Sequence, residues 1–144
     1  MSDERRLIRE SLLLAIVSRG MLAVLVWLTL RVIPKLPLYP VQLPDQFFPS
    51  NPALDGWARW DSAHYIAVAR YGYGSVESPS PDGGVGFFPL YPMLIRAIGR
   101  VTGQSDSNAG LAFIGLVLSA IFFLSATAIF ARLAHETLGL QGAR

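Results

Sequence analysis

The sequence predicts an all-α membrane protein, with two transmembrane helices flanking an outward loop that carries two interfacial amphipathic helices. Three observations predict it. Of 144 residues, 52% are hydrophobic and only 15% charged, where a soluble domain carries about 25% charged residues. Mean hydropathy is positive, at +0.42. The missing charge is concentrated in two stretches, 12–33 and 109–131. Each is long enough for a helix of roughly 30 Å, the thickness of a bilayer's hydrocarbon core.

Residues 1–11 are polar and basic, with Arg5, Arg6 and Arg9. The first span, 12–33, continues past Val17 through Arg19 to Ile33. That is longer than the roughly 7–15-residue apolar core of a cleaved signal, so it reads as an uncleaved helix. Pro34 ends it, because proline lacks an N–H and fixes φ. Arg19 interrupts it. A guanidinium at the centre of a span costs about 3 kcal/mol on insertion scales, so Arg19 must snorkel, pair or face a bundle interior. It is not expected to be catalytic.

Residues 34–108 form the loop. Pro34, Pro37, Pro40 and Pro44 give it an extended beginning of polyproline character. From Gly56 to Tyr71 helical periodicity returns and puts Trp57, Asp61, His64, Tyr65 and Val68 on one face. Gly72 reads as the C-cap of that helix. Ser75 to Gly86 is rich in turn residues, with Pro79, Pro81, Gly83 and Gly84. A second loop helix begins over Pro89–Pro92, since proline is tolerated in a first turn. It turns Leu94, Ile95, Ile98 and Val101 toward membrane or core, and Arg96 and Arg100 to another side. Both loop helices are too short and polar to span. They read as interfacial, their Trp, Tyr and Phe rings at headgroup depth.

Asp106-Ser107-Asn108 supplies N-cap chemistry for the second span, 109–131. Arg132 closes that span, and 132–144 form a tail. Arg5, Arg6, Arg9 and Arg132 all lie at span ends, so the positive-inside rule puts 1–11 and 132–144 in the cytoplasm and the loop outside. The basic residues within the loop lie mostly far from the span ends, where the rule counts little. No internal repeat is present.

Some classes of function are excluded. The net charge of +2 is small, and no run interleaves clustered Lys or Arg with aromatics, so no nucleic-acid partner is expected. With no cysteine, disulfides and thiolate metal sites are ruled out.

The chemistry-bearing residues lie in the loop. Asp61 follows Trp60 and shares its helical face with aromatics; a carboxylate beside indoles and away from bulk water suits a general base. Equally, it is an interfacial acid paired with Arg59 or hydrogen-bonded to Tyr65. His64, one turn on, orients a substrate, shuttles a proton, shares a metal with the carboxylate or is structural. One Asp and one His are at best half a metal site, and His135 lies beyond the second span, so no cofactor is expected and a divalent metal, though chemically open, has no support in the sequence. Tyr71-Gly72-Tyr73-Gly74 is a helix stop with interface tyrosines, or a place for an aromatic ring to stack on a sugar. Phe87-Phe88-Pro89-Leu90-Tyr91-Pro92 is an aromatic anchor in the interface, or the lining of a groove for an isoprenoid tail.

Arg59-Trp60-Asp61 through Tyr65, then Ile66-Ala67, Gly72-Tyr73 and Phe88-Pro89-Leu90-Tyr91-Pro92, resemble the PIG-V family of mannosyltransferases. The eukaryotic members of that family add the second mannose in GPI-anchor synthesis, and it has bacterial relatives. The basic start, the Ser18-Arg19 pair, the loop and the second helix fit in order, so the likeness covers nearly the whole chain. It implies the N-terminal part of a GT-C fold, whose first outward loop carries the catalytic acid. The donor would be a polyprenyl- or dolichyl-phosphate sugar, the acceptor a glycolipid or glycan, and transfer would invert the anomeric centre. The enzyme would sit among membrane lipids, in the plasma membrane of a bacterium or the endoplasmic reticulum of a eukaryote. Asp61 would be the catalytic base, with Arg59, Trp60, His64, Tyr65, Tyr73, Phe88 and Tyr91 binding substrate. Family members carry many spans and this chain two, so the resemblance implies an N-terminal portion or truncated copy, inactive alone. The residues also fit a non-catalytic two-span module whose aromatic loop docks a lipid or protein partner. A transporter fits less well, because the polar residues lie in the loop rather than at mid-membrane.

Overall fold

A computed structural model describes residues 3–32, 47–58, 61–75 and 85–142. Every regular element among them is an α-helix: α1 (Asp3–Val32), α2 (Pro52–Asp55), α3 (Ser62–Tyr71), α4 (Leu90–Val101) and α5 (Asn108–Gly142). The extended beginning expected over 34–44 and most of the turn-rich stretch, 76–84, lie outside the described residues.

α1 and α5 are both long and apolar enough to cross a membrane. Only 6% of the most apolar window of each is buried, whereas the core helix of a soluble protein would be mostly covered. Their exposed side chains include Leu14, Met21, Leu25, Ile121, Ile129 and Phe130. Surfaces of that kind suit an apolar solvent.

The chain forms two compact units, one of residues Met1–Leu25 and Ser119–Arg144, the other of Val26–Leu118. In the first, Arg19 lies over the Phe123 ring at 4.0 Å, a cation–π contact that offsets part of the cost of a guanidinium among apolar side chains. Glu4 approaches Arg132 at 3.8 Å, and Leu7 and Ser11 line a groove with Thr127, Phe130, Ala131 and Ala134. Four of the six residues lining that groove are small (Ser11, Thr127, Ala131 and Ala134), which lets helix backbones come close.

The second unit has a core of its own. Phe47, Ala58, Ile66, Ala69, Ile95, Leu111, Ala112, Ile114 and Leu118 pack together, so α3, α4 and the start of α5 share one apolar interior. Glycines allow the close approach of α4 to α5. A Cβ on Gly99 would meet Leu111 at 2.6 Å, and one on Gly115 would meet both Ile95 and the Tyr91 hydroxyl at 3.2 Å.

One expectation needs correction here. The helix expected from Gly56 to Tyr71 is interrupted. α2 ends at Asp55, Gly56 and Trp57 form a turn, and α3 starts only at Ser62. Trp57 is therefore not on the helical face of His64 and Tyr65. The cause is tertiary: a Cβ on Gly56 would overlap Val26 and sit 3.2 Å from Leu30 of α1, so the chain turns where it meets that helix. α4 divides its apolar side chains between two surroundings. Ile95 is fully buried, with Leu94 and Ile98 packed on the core, but Val101 is 89% exposed.

Candidate functional site

The site is built on the N-terminal half of α3 and the residues leading into α4. Asp61 is the N-cap of α3, and its main-chain oxygen accepts the Tyr65 N–H at 3.1 Å. Its side chain makes no capping bond and is exposed, so the dry surroundings expected of it are absent. Arg59 and Trp60 lie outside the described residues.

The next turn of α3 carries His64 and Tyr65, and Phe87 closes over both. The His64 and Phe87 rings are stacked at 4.9 Å, and Tyr65 meets Phe87 edge-on at 5.0 Å. Tyr65 also meets Tyr91 edge-on at 5.2 Å. Offset stacks and edge contacts of this kind contribute about 0.5–1.5 kcal/mol each beyond area burial. Tyr91 is anchored in turn, its hydroxyl donating to the Gly115 carbonyl of α5 at 2.8 Å. Tyr73 joins from the other side, its hydroxyl donating to the Phe87 carbonyl at 2.7 Å. Hence His64, Tyr65, Tyr73 and Tyr91 gather around Phe87. Phe88 does not; it is 86% exposed.

Phe87 is expected only as part of the aromatic string 87–92, and Phe88 is the one of the pair expected to bind substrate. Two adjacent phenylalanines in a segment without periodicity give no sign of which one turns inward. His64 has a further peculiarity: its Nδ1 is buried and has no hydrogen-bond partner among the described residues. Buried polar atoms are paired in the large majority of cases, and an orphan calls for an explanation.

Helix ends fix these elements. Gly72 stops α3 at φ 91° and ψ −179°, a region open essentially to glycine alone, and its N–H donates to the Val68 carbonyl. Arg70 donates to Asn108 Oδ1 at 2.7 Å, tying the end of α3 to the start of α5. Ser107 caps α5, its hydroxyl accepting the Gly110 N–H at 3.0 Å, as the sequence predicts. The prolines of α4 behave as expected too, with Pro89 at the N-cap and Pro92 buried in the first turn.

The second residue that sequence reasoning missed is Asp55, a carboxylate with 0% exposure. It accepts the Phe48 N–H at 3.1 Å and so closes the chain from Phe48 back onto the end of α2. Asn51 caps that short helix through the Leu54 N–H. The Asn51-Pro52 pair, a capping residue followed by proline at the first helical position, was the available signal. Among the described residues no three His, Asp or Glu side chains gather as a metal site would require. Compared with known protein families, curated proteins and solved structures, the chain matches none.

Proposed function

We propose that the chain is the N-terminal portion of a membrane glycosyltransferase of the GT-C type, similar to the PIG-V mannosyltransferases. It would move a sugar from a polyprenyl- or dolichyl-phosphate donor to a glycolipid or glycan acceptor on the outer or lumenal membrane face. One observation carries the reading. Asp61 stands exposed and uncapped at the start of α3, beside the aromatic cluster around Phe87, in a segment bounded by two helices long and apolar enough to cross a membrane.

In this reading the Asp61 carboxylate accepts the proton of the acceptor hydroxyl as that oxygen attacks the anomeric carbon. The bond from the anomeric carbon to the phosphate oxygen breaks, and the lipid phosphate leaves with the electron pair. Attack opposite the leaving group inverts the centre. Tyr65, Tyr73 and Tyr91 supply rings and hydroxyls suited to a sugar, and His64 lies one turn from the base. General-base catalysis contributes about 10²–10⁴-fold. Asp61→Asn in membranes containing the complete protein should therefore lower mannose transfer from polyprenyl-phosphate mannose by about that factor. Its thermal unfolding should be unchanged, because the side chain is exposed and caps nothing. Undiminished transfer would sink the assignment.

A second reading has one observation in its favour, the exposure of Phe88 at 86%. A non-catalytic module that docks a partner through this ring would tolerate Asp61→Asn and fail with Phe88→Ala.

A further inference from the structure

α4 is apolar on two faces, and protein covers only one. Pro92, Ile95 and Gly99 are buried. Leu90, Met93 and Val101 are 70%, 61% and 89% exposed, and Ala97 is exposed between them. At about 100° per residue those four positions fall within an arc of about 80°. Arg100 stands at the edge of this stripe, exposed and without a partner among the described residues. One turn before it, Arg96 reaches instead toward Gly72 at the end of α3. α3 differs from α4 in having Ile66, Ala67, Val68 and Ala69 all buried, so it presents no comparable face.

We infer that the Leu90–Met93–Ala97–Val101 face of α4 lies in the bilayer surface, with its apolar side chains at the acyl boundary and Arg100 on lipid phosphates. Two facts select lipid as the occupant. α4 packs through Ile95, Gly99 and Tyr91 against Leu111 and Gly115, in the first turns of a helix long enough to cross a membrane. Only Thr102 to Ser107 separate the two helices, so the start of that span holds α4 at the membrane boundary. At twelve residues α4 is about 18 Å long, too short to cross and suited to lying in the plane. An apolar stripe flanked by a cation matches a boundary between acyl chains and anionic phosphates.

The inference rests on the membrane placement of α5 and not on transfer chemistry, so its test uses no activity. The chain has no cysteine, and single cysteines can be spin-labelled at Met93, Ala97 and Val101 in the full chain. Ile121 in mid-span and Ser50 in the loop serve as references. The chain is reconstituted in phosphatidylglycerol or phosphatidylcholine vesicles, and collisions of each label with oxygen and with a water-soluble nickel complex are compared. The three α4 labels should read a depth between the references, deeper in phosphatidylglycerol, and Arg100→Glu should abolish that lipid difference. Labels at Met93 and Ala97 that match Ser50 would overturn the inference, as would labels reached by neither reagent, which would mean that protein covers the stripe. Equal depth in both lipids would overturn the phosphate contact. A water-exposed label at Ile121 would instead show that α5 does not cross, a failure distinct from loss of the Asp61 assignment.

Discussion

Asp55 and His64 make opposite demands on the small core between Val26 and Leu118. Asp55 is a carboxylate with no exposure whose Oδ1 satisfies the Phe48 N–H. Its removal leaves that donor in a dry setting, and a buried unsatisfied group costs about 1–3 kcal/mol. Asp55→Ala should lower the thermal midpoint in detergent by that equivalent. Asp55→Asn, which retains an acceptor oxygen, should lose less; equal losses would show that charge rather than the hydrogen bond matters. His64 has an orphaned Nδ1 yet a good ring contact with Phe87. His64→Phe keeps the stack and removes the orphan, so stability should hold or rise. If His64 shapes a sugar site, mannose transfer should nevertheless fall, and a fall in transfer without a fall in melting temperature separates function from packing. Asp61 and His64 stand out in the sequence because polar residues among aromatics in a loop are conspicuous. Asp55 does not, since its burial depends on where the chain around Phe48 folds back, and no local spacing encodes that.

Helices α1 and α5 are legible because a run of some twenty apolar residues has one physical solution in lipid. The start of α4 is legible from its prolines and the start of α5 from Ser107. The break between α2 and α3 is not, because Trp57, Asp61 and Val68 satisfy helical spacing while Gly56 answers to Val26, thirty positions earlier. Glycines of this kind offer the sharpest tests of the elements. Gly72 occupies a backbone region that costs a residue with a Cβ about 1–3 kcal/mol, so Gly72→Ala should destabilise by that amount and leave α5 unaffected. Gly115 tests the α4–α5 contact. A leucine there would drive its side chain into Ile95 and Tyr91, and the amides of α4 should lose protection in hydrogen exchange. Tyr91→Phe removes the bond to the Gly115 carbonyl, worth about 1 kcal/mol, and should leave that protection largely in place. Equal loss in both variants would mean the hydroxyl bond, not the close approach, holds α4.

The orientation proposed for the chain in a membrane separates into two independent arguments. One is charge: Arg5, Arg6, Arg9 and Arg132 stand at the ends of the two apolar stretches, and the positive-inside rule would then place both termini in the cytoplasm. The other is geometry within the unit formed by Met1–Leu25 and Ser119–Arg144. Glu4 faces Arg132, Ser11 shares a groove with Thr127, and Arg19 faces Phe123. Later positions in α1 thus meet earlier positions in α5, which is antiparallel pairing and puts the two termini on one side whichever side that is. The two arguments separate in an accessibility experiment. Single cysteines at Glu10, Ser50, Gln104 and Leu138, all at exposed positions, are treated in intact cells with a maleimide that does not cross membranes. The proposed orientation expects Ser50 and Gln104 to react, and Glu10 and Leu138 to react only after permeabilisation. The reverse pattern would preserve the antiparallel hairpin but put Asp61 on the face opposite to the one proposed, ruling out the outward transfer reaction. Reaction of Ser50 without Gln104 would break the hairpin itself, because residues 34–108 would then no longer lie on one side.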